Sequence, residues 1–245
     1  MTDDARRGRG TAYVGTSGFA YTDWAPRFYA PGTRSNALLP EYATRLNAVE
    51  LNNTFYQHPK ADRIAAWLAQ TQPEFRFVVK AQRGGSMRAF GSAAAETVAW
   101  LTAPYQLFGG RLGGVLVRVP EQVARDDERL TLMLDAWPRD MPLTVEFQHE
   151  SWHVDEVFEL LRAHDATLCA TDLDERDPPD LRRTGKFTYL RLRRTSYTDA
   201  DLAQWADRLD AFLSDGVDCY VFLRHDADGT SALRAVTLAE RLSQG

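Results

Sequence analysis

Short runs rich in β-branched and aromatic residues alternate along the chain with segments whose apolar residues recur at helical spacing. The runs are AYVGTSGF around Tyr13, AVELNNTFY around Glu50, FRFVVKAQ around Lys80, GGVLVRVP around Arg118, PLTVEFQH around Glu146, ATLCATD ending at Asp172, FTYLRLRR around Arg191 and DCYVFLRH around Arg224. Each reads as a strand bounded by turn residues. Between them SNALLPEYATRL, ADRIAAWLAQ, AAAETVAWL, DDERLTLMLDAW, VDEVFELLRAH, DADLAQWADRLDAFL and TSALRAVTLAERL read as helices, several opening on a Ser, Thr or Asp able to cap free amides. One connection departs from the pattern: LDERDPPDLRRTGK, between the sixth and seventh strands, is too Pro-rich and polar, so the helix there is expected to be missing or irregular. Strict strand–helix alternation implies an α/β fold with a parallel sheet, and eight units in 245 residues is the size of a single (β/α)8 TIM barrel. The expected organisation is one domain over 11–245 behind a disordered tail over 1–10, MTDDARRGRG.

The polar residues inside these strands carry the functional signal. Strand side chains alternate, so in a closed barrel one set packs on the helices and the other points to the axis. In AVELNNTFY, Val49 and Leu51 would face outward while Glu50 and Asn52 face in. Repeating the reading places Lys80 and Gln82, Arg118, Glu146 and Gln148, and Tyr189, Arg191 and Arg193 inside. Asp172 and Arg224, at the ends of runs apolar on both sides, complete a ring of three acids and five bases. Buried charges need partners. The surplus of cations points to an anion at the C-terminal mouth, where barrel active sites lie, and a structural salt-bridge network is the competing reading. After the eighth strand, HDADGTSALRA puts Gly229, Thr230 and Ser231 at a helix start, which serves equally as an anion cradle or a plain cap.

Charge and composition narrow the partners. The net charge is −5, so there is no global positive field for nucleic acid or an acidic membrane surface. Only Lys60, Lys80 and Lys186 among the 29 basic residues are lysine, a skew that makes an arginine informative only through its position. Cys169 and Cys219 sit in apolar runs without a CxxC spacing and read as buried free thiols. No apolar run approaches membrane-spanning length and the N-terminus carries no apolar leader segment, which makes a cytoplasmic protein the expectation.

GTSGFAYTDWAPRFY, LPEYATRLNAVELNNTFYQHP, FRFVVKA, VEFQHESW and YLRLRRTSY together resemble the YecE-like barrels, domain of unknown function 72, from Val14 to about Leu242. The resemblance implies a TIM barrel distantly comparable with xylose isomerases and endonuclease IV-class abasic-site enzymes, and it names no reaction. Gly15, Thr16, Ser17, Gly18, Tyr21 and Trp24 match the family's first-strand motif; Glu50, Asn52, Thr54, Phe55 and Tyr56 match the second; Glu146, His149, Ser151 and Trp152 match the fifth. The chain departs from the family where Gln148 replaces an Arg and where Arg193 and Arg194 replace a His-Gly pair. Near the end it has Arg224 or His225, and Arg234, where the family tends to have asparagines.

Several chemistries fit these residues. Glu50 or Glu146 could serve as a general base for hydrolysis, lysis or isomerisation, with Lys80 and the arginines stabilising an oxyanion or phosphate. Lys80 could also form a Schiff base. The endonuclease comparison implies, as an alternative, a metal-dependent phosphodiesterase acting on nucleic acid, for which His149 and His225 with Glu50, Glu146 and Asp172 are a thin ligand set among cations; the sequence requires no cofactor and is compatible with a single divalent ion. A barrel that binds a phosphorylated metabolite or a nucleic-acid end without turnover needs the same arginines. Trp24, Tyr56, Trp152 and Tyr197, just after strand ends, could stack on a sugar or base or simply cap the core, and Tyr21 with Trp24 could wall a pocket beside the first strand. No protein partner is legible.

Overall fold

The structure, a computed structural model, describes residues 8–243. All eight expected strands form: β1 (Ala12–Thr16), β2 (Ala48–Leu51), β3 (Arg76–Lys80), β4 (Leu112–Val119), β5 (Leu143–Phe147), β6 (Thr167–Asp172), β7 (Thr188–Leu192) and β8 (Cys219–Leu223). They lie in the order β1-β8-β7-β6-β5-β4-β3-β2, each ladder parallel, as a nearly closed barrel. Around them run α1 (Leu38–Ala43), α2 (Ala61–Ala69), α3 (Arg83–Ala89), α4 (Ala94–Thr102), α5 (Asp127–Ala136), α6 (Asp155–Ala163), α7 (Asp199–Ser214) and α8 (Thr230–Ser243). The Pro-rich segment between β6 and β7 holds turns and extended chain in place of a helix. None of the described helices is long and apolar enough to cross a membrane.

Helix α3 is the element that sequence reading missed. Two glycines in RGGSMRA argue against a helix. Here the Gln82 side chain caps it through the Gly85 amide at 2.6 Å, and a Cβ at Gly85 would come within 2.7 Å of Leu101, so the glycine lets α3 lie directly on α4. Of the expected N-terminal tail, residues 1–7 lie outside the described range. Arg9 pairs with Asp210 at 2.5 Å and the Gly10 amide donates to the Leu213 carbonyl, so both are tied to α7.

Closure between β1 and β2 uses side chains. The only ladder contact between them among the described residues is one bridge, Ser17 to Glu50, with the Gly18 amide donating to the Glu50 carbonyl at 2.8 Å. Below it the Tyr42 hydroxyl accepts from the Thr16 amide at 2.8 Å and donates to the Ala48 carbonyl at 3.0 Å. Asn47 accepts from the Val14 amide at 2.9 Å and donates to the Ala12 carbonyl at 2.8 Å. Gly15 is required in this seam, because a Cβ would lie 2.0 Å from the Ala48 carbonyl oxygen.

The barrel contains two layers. Tyr13, Tyr189, Tyr220, Phe187, Phe222 and Leu116 fill its lower interior, with Tyr13 stacked on Tyr220 at 4.7 Å. The outward set, including Val49, Leu51, Phe77, Val79, Val117 and Val119, packs with the helices. This apolar floor leaves the charged residues in the upper layer, at the C-terminal end.

Candidate functional site

Arg191 organises that upper layer. Its Nη2 donates to Glu50 Oε1 at 2.8 Å, and its Nη1 donates to Glu146 Oε1 and Oε2 at 2.8 and 3.0 Å. Tyr189 donates its hydroxyl to Glu50 Oε2 at 2.8 Å, and Ser17 donates to Oε1 at 2.9 Å. Thr171 donates to Glu146 Oε1 at 2.9 Å, while Arg118 Nε lies 3.2 Å from Glu146 Oε2 without hydrogen-bond alignment. Burial opposes ionisation of both carboxyls, but Arg191 outweighs it: Glu50 is held below the usual carboxylate range and Glu146 is brought down to about 2. Both are therefore ionised at neutral pH and unable to act as general acids.

Lys80, Arg193 and Arg224 are different. No carboxylate among the described residues lies within ion-pair distance of any of them. Lys80 Nζ rests 4.2 Å from the Phe55 ring centroid. Burial and the neighbouring Arg191 lower its pKa to about 8, although Glu50 acts in the opposite sense. Arg193 donates to Ser17 Oγ at 3.2 Å and is pulled down by burial and by Arg191, while Arg224 reaches only the Arg193 carbonyl at 3.4 Å. The Nε groups of Arg118 and Arg191 are buried and have no hydrogen-bond partner among the described residues.

Two hollows flank this cluster. One of about 580 Å³ is lined by Phe55, Arg83, Met87, Arg118, Gln122 and Gln148, and one of about 460 Å³ includes Tyr21, Asn36, Asn52, Asn53, Trp67 and Gln70. The half-buried Tyr21 ring stacks on His225 at 4.9 Å, and its hydroxyl donates to the Ser17 carbonyl.

Some expected members of the site lie elsewhere. Asp172 faces outward: on β6 the alternation sends Thr171 into the barrel, and Asp172 instead takes Arg194 at 2.8 Å, the Tyr197 hydroxyl at 2.9 Å and the Trp205 indole at 3.3 Å. Tyr197 is thereby buried away from the mouth. Trp24 and Trp152 are also fully buried, donating their indole N–H groups to the Asp226 and Val123 carbonyls, and Trp152 stacks on the outward Phe147. Tyr56 is 79% exposed. His149 sits half-buried in a turn, contacting Ser151 Oγ at 2.8 Å. At α8 the free amides of Gly229 and Ser231 bind Asp226, and that of Thr230 binds Asp228, so this helix start is capped internally. Thr171, Arg83 and Met87 were not foreseen; the apolar run ATLCATD gave no facing for Thr171, and the double glycine hid the helix carrying Arg83 and Met87.

The donor set does not suit a metal ion. Glu50 and Glu146 are occupied by Arg191, Tyr189, Ser17 and Thr171, and Asp172 lies on the other side of the wall. Among the described residues no three His, Cys, Asp or Glu side chains gather as a ligand cluster. Cys169 and Cys219 are buried and unpaired, their thiols pushed up by burial, well above the ordinary value for Cys169 and to about 12 for Cys219.

Comparison with known proteins agrees with this architecture. A DUF72 family protein from Thermotoga maritima superposes with a TM-score of 0.83 at 25% identity, covering 95% of this chain and 99% of that one. A DUF72 protein from Enterococcus faecalis superposes at 0.75 with 17% identity, covering 97% and 99%, and shares the fold. The UPF0759 protein YunF of Bacillus subtilis is 29% identical over 151 residues, 57% of this chain; the match spans about half, 51%, of that relative's length. The family model described as protein of unknown function DUF72 matches residues 13–245, so this chain belongs to the DUF72 family, whose members include the YecE-like barrels.

Proposed function

We propose that the C-terminal mouth of this barrel binds an anionic ligand, phosphorylated or sugar-derived. The observation that carries the reading is the division of labour among the inner charges: Arg191 bonds both carboxylates and Arg118 lies against Glu146, leaving Lys80, Arg193 and Arg224 without acidic partners among the described residues. The buried Nε of Arg191, which has no hydrogen-bond partner among the described residues, supports it, because a buried donor without an acceptor is costly unless something accepts from it. In this reading Glu50 and Glu146 fix Arg191 in place and do not form an acid–base pair. The hollow beside Arg118 and Gln148 has room for the rest of a small ligand, and the one beside Asn52 offers amides suited to hydroxyl groups.

Thermal unfolding tests this directly. Inorganic phosphate and sugar phosphates should raise the melting temperature, by roughly 5–10 °C at a hundredfold excess over Kd, while neutral sugars should not. Arg193→Ala should abolish most of the rise. A panel of anions that leaves the wild-type melting temperature unchanged would refute the anion site.

A further inference from the structure

Lys80 ends β3 with its side chain inside the barrel, half-buried, and its surroundings are unusual for such a lysine. A structural lysine is normally held by a carboxylate. Here the nearby acids are bound to Arg191, and among the described residues the ammonium has the Phe55 ring face as its one partner. Burial and the Arg191 charge act together to favour the free amine, which is the nucleophilic form. Phe55 and Arg118, both beside Lys80, line the 580 Å³ hollow, so Lys80 stands behind its wall with the Phe55 ring between its ammonium and that space. Lys60 and Lys186, the other lysines of the chain, are both exposed.

We propose that Lys80 captures a carbonyl: its Nζ adds to the carbonyl carbon of an anionic aldehyde or ketone held at the barrel mouth, forming an imine. The nitrogen lone pair makes the new C–N bond and a proton passes from nitrogen to the former carbonyl oxygen. The resulting hydroxyl leaves with the second nitrogen proton as water. No oxidant or reductant is consumed. Once the imine takes up a proton, burial, Arg191 and Arg118 act against its positive charge while Glu50 and Glu146 act for it, which favours onward reaction or hydrolysis of the cation. This assignment rests on the anion-site reading, since the cations bring the charged end of the substrate to the amine.

The test is reductive trapping of the wild-type chain with glycolaldehyde phosphate and cyanoborohydride, followed by peptide mapping of all three lysines. Lys80 should be alkylated roughly tenfold faster than Lys60 and Lys186 at neutral pH, at a rate that climbs through about pH 8. Inorganic phosphate should protect it, and unphosphorylated glycolaldehyde should label it less. Phosphate stabilisation of the fold with Lys80 labelled no faster than the exposed lysines overturns the amine and leaves the anion site standing. Equal labelling by both aldehydes, with no phosphate effect on melting, overturns the anion site and with it this substrate class.

Discussion

At the scale of single residues, Arg191 has the largest energetic consequence. Replacing it with methionine leaves two buried carboxylates without their main counter-ion and should destabilise the protein by about 3–5 kcal/mol at pH 7. The pH dependence has a definite sign. In the wild type both carboxyls are depressed below the ordinary 4.5, so their contribution is fully present above that value; for Glu146 it is lost as pH falls towards about 2. In Arg191→Met the largest influence opposing burial is gone, with Arg193, Tyr189 and Lys80 still acting on Glu50 and Arg118 and Thr171 on Glu146, so both carboxyls move up and acidification relieves part of the defect. Urea unfolding should therefore give a stability gap that narrows between pH 7 and pH 4; a gap of equal size at both would show that the carboxylates are not what the arginine compensates. Glu50, Glu146 and Arg191 were legible from alternation because each sits between outward apolar neighbours. Asp172 was not, because ATLCATD is apolar on both faces and only the pairing of β6 shows that Thr171 points in.

Among the elements, the β1–β2 seam is the place where the barrel depends on particular side chains. Tyr42 and Asn47 supply the hydrogen bonds that a strand ladder would otherwise make. Tyr42→Phe strands the Thr16 amide and the Ala48 carbonyl and should cost about 1–3 kcal/mol, with faster amide exchange at Thr16 than at residues of the β7–β8 ladder. Unchanged exchange at Thr16 would mean that the seam holds without the hydroxyl. The eight strands and seven of the helices could be read from periodicity, since each has a clean period and a turn on either side. Helix α3 could not, because Gly85 is there for contact with α4 and the helix cap comes from the Gln82 side chain, features set outside the local pattern.

On the scale of the whole molecule, a chain of net charge −5 presents an interior cluster of cations at one end. The general field repels anions, so the proposed anion binding would have to come from short-range contacts with partly exposed guanidinium and ammonium groups. Raising NaCl from 50 to 500 mM contracts the screening length from roughly 14 Å to about 4 Å, and the phosphate-induced rise in melting temperature should fall by about half. A rise that ignores salt would remove the solvent-facing Arg193 and Arg224 from the site.

What the sequence determined by itself was the periodic part of the molecule: eight strand–helix units, the interruption after β6 and the placing of charged residues on inward positions. Those features follow from local propensity and from the two-residue alternation of a strand, which one chain displays directly. The tertiary structure alone decided which charges meet. Arg191 joins Glu50 and Glu146 across sequence separations of 141 and 45 residues, Asp172 turns away to Arg194, and Lys80 is left facing an aromatic ring. Pairing of that kind depends on barrel register and on competition among neighbours for the same carboxylate, and neither is written in any local stretch of the chain.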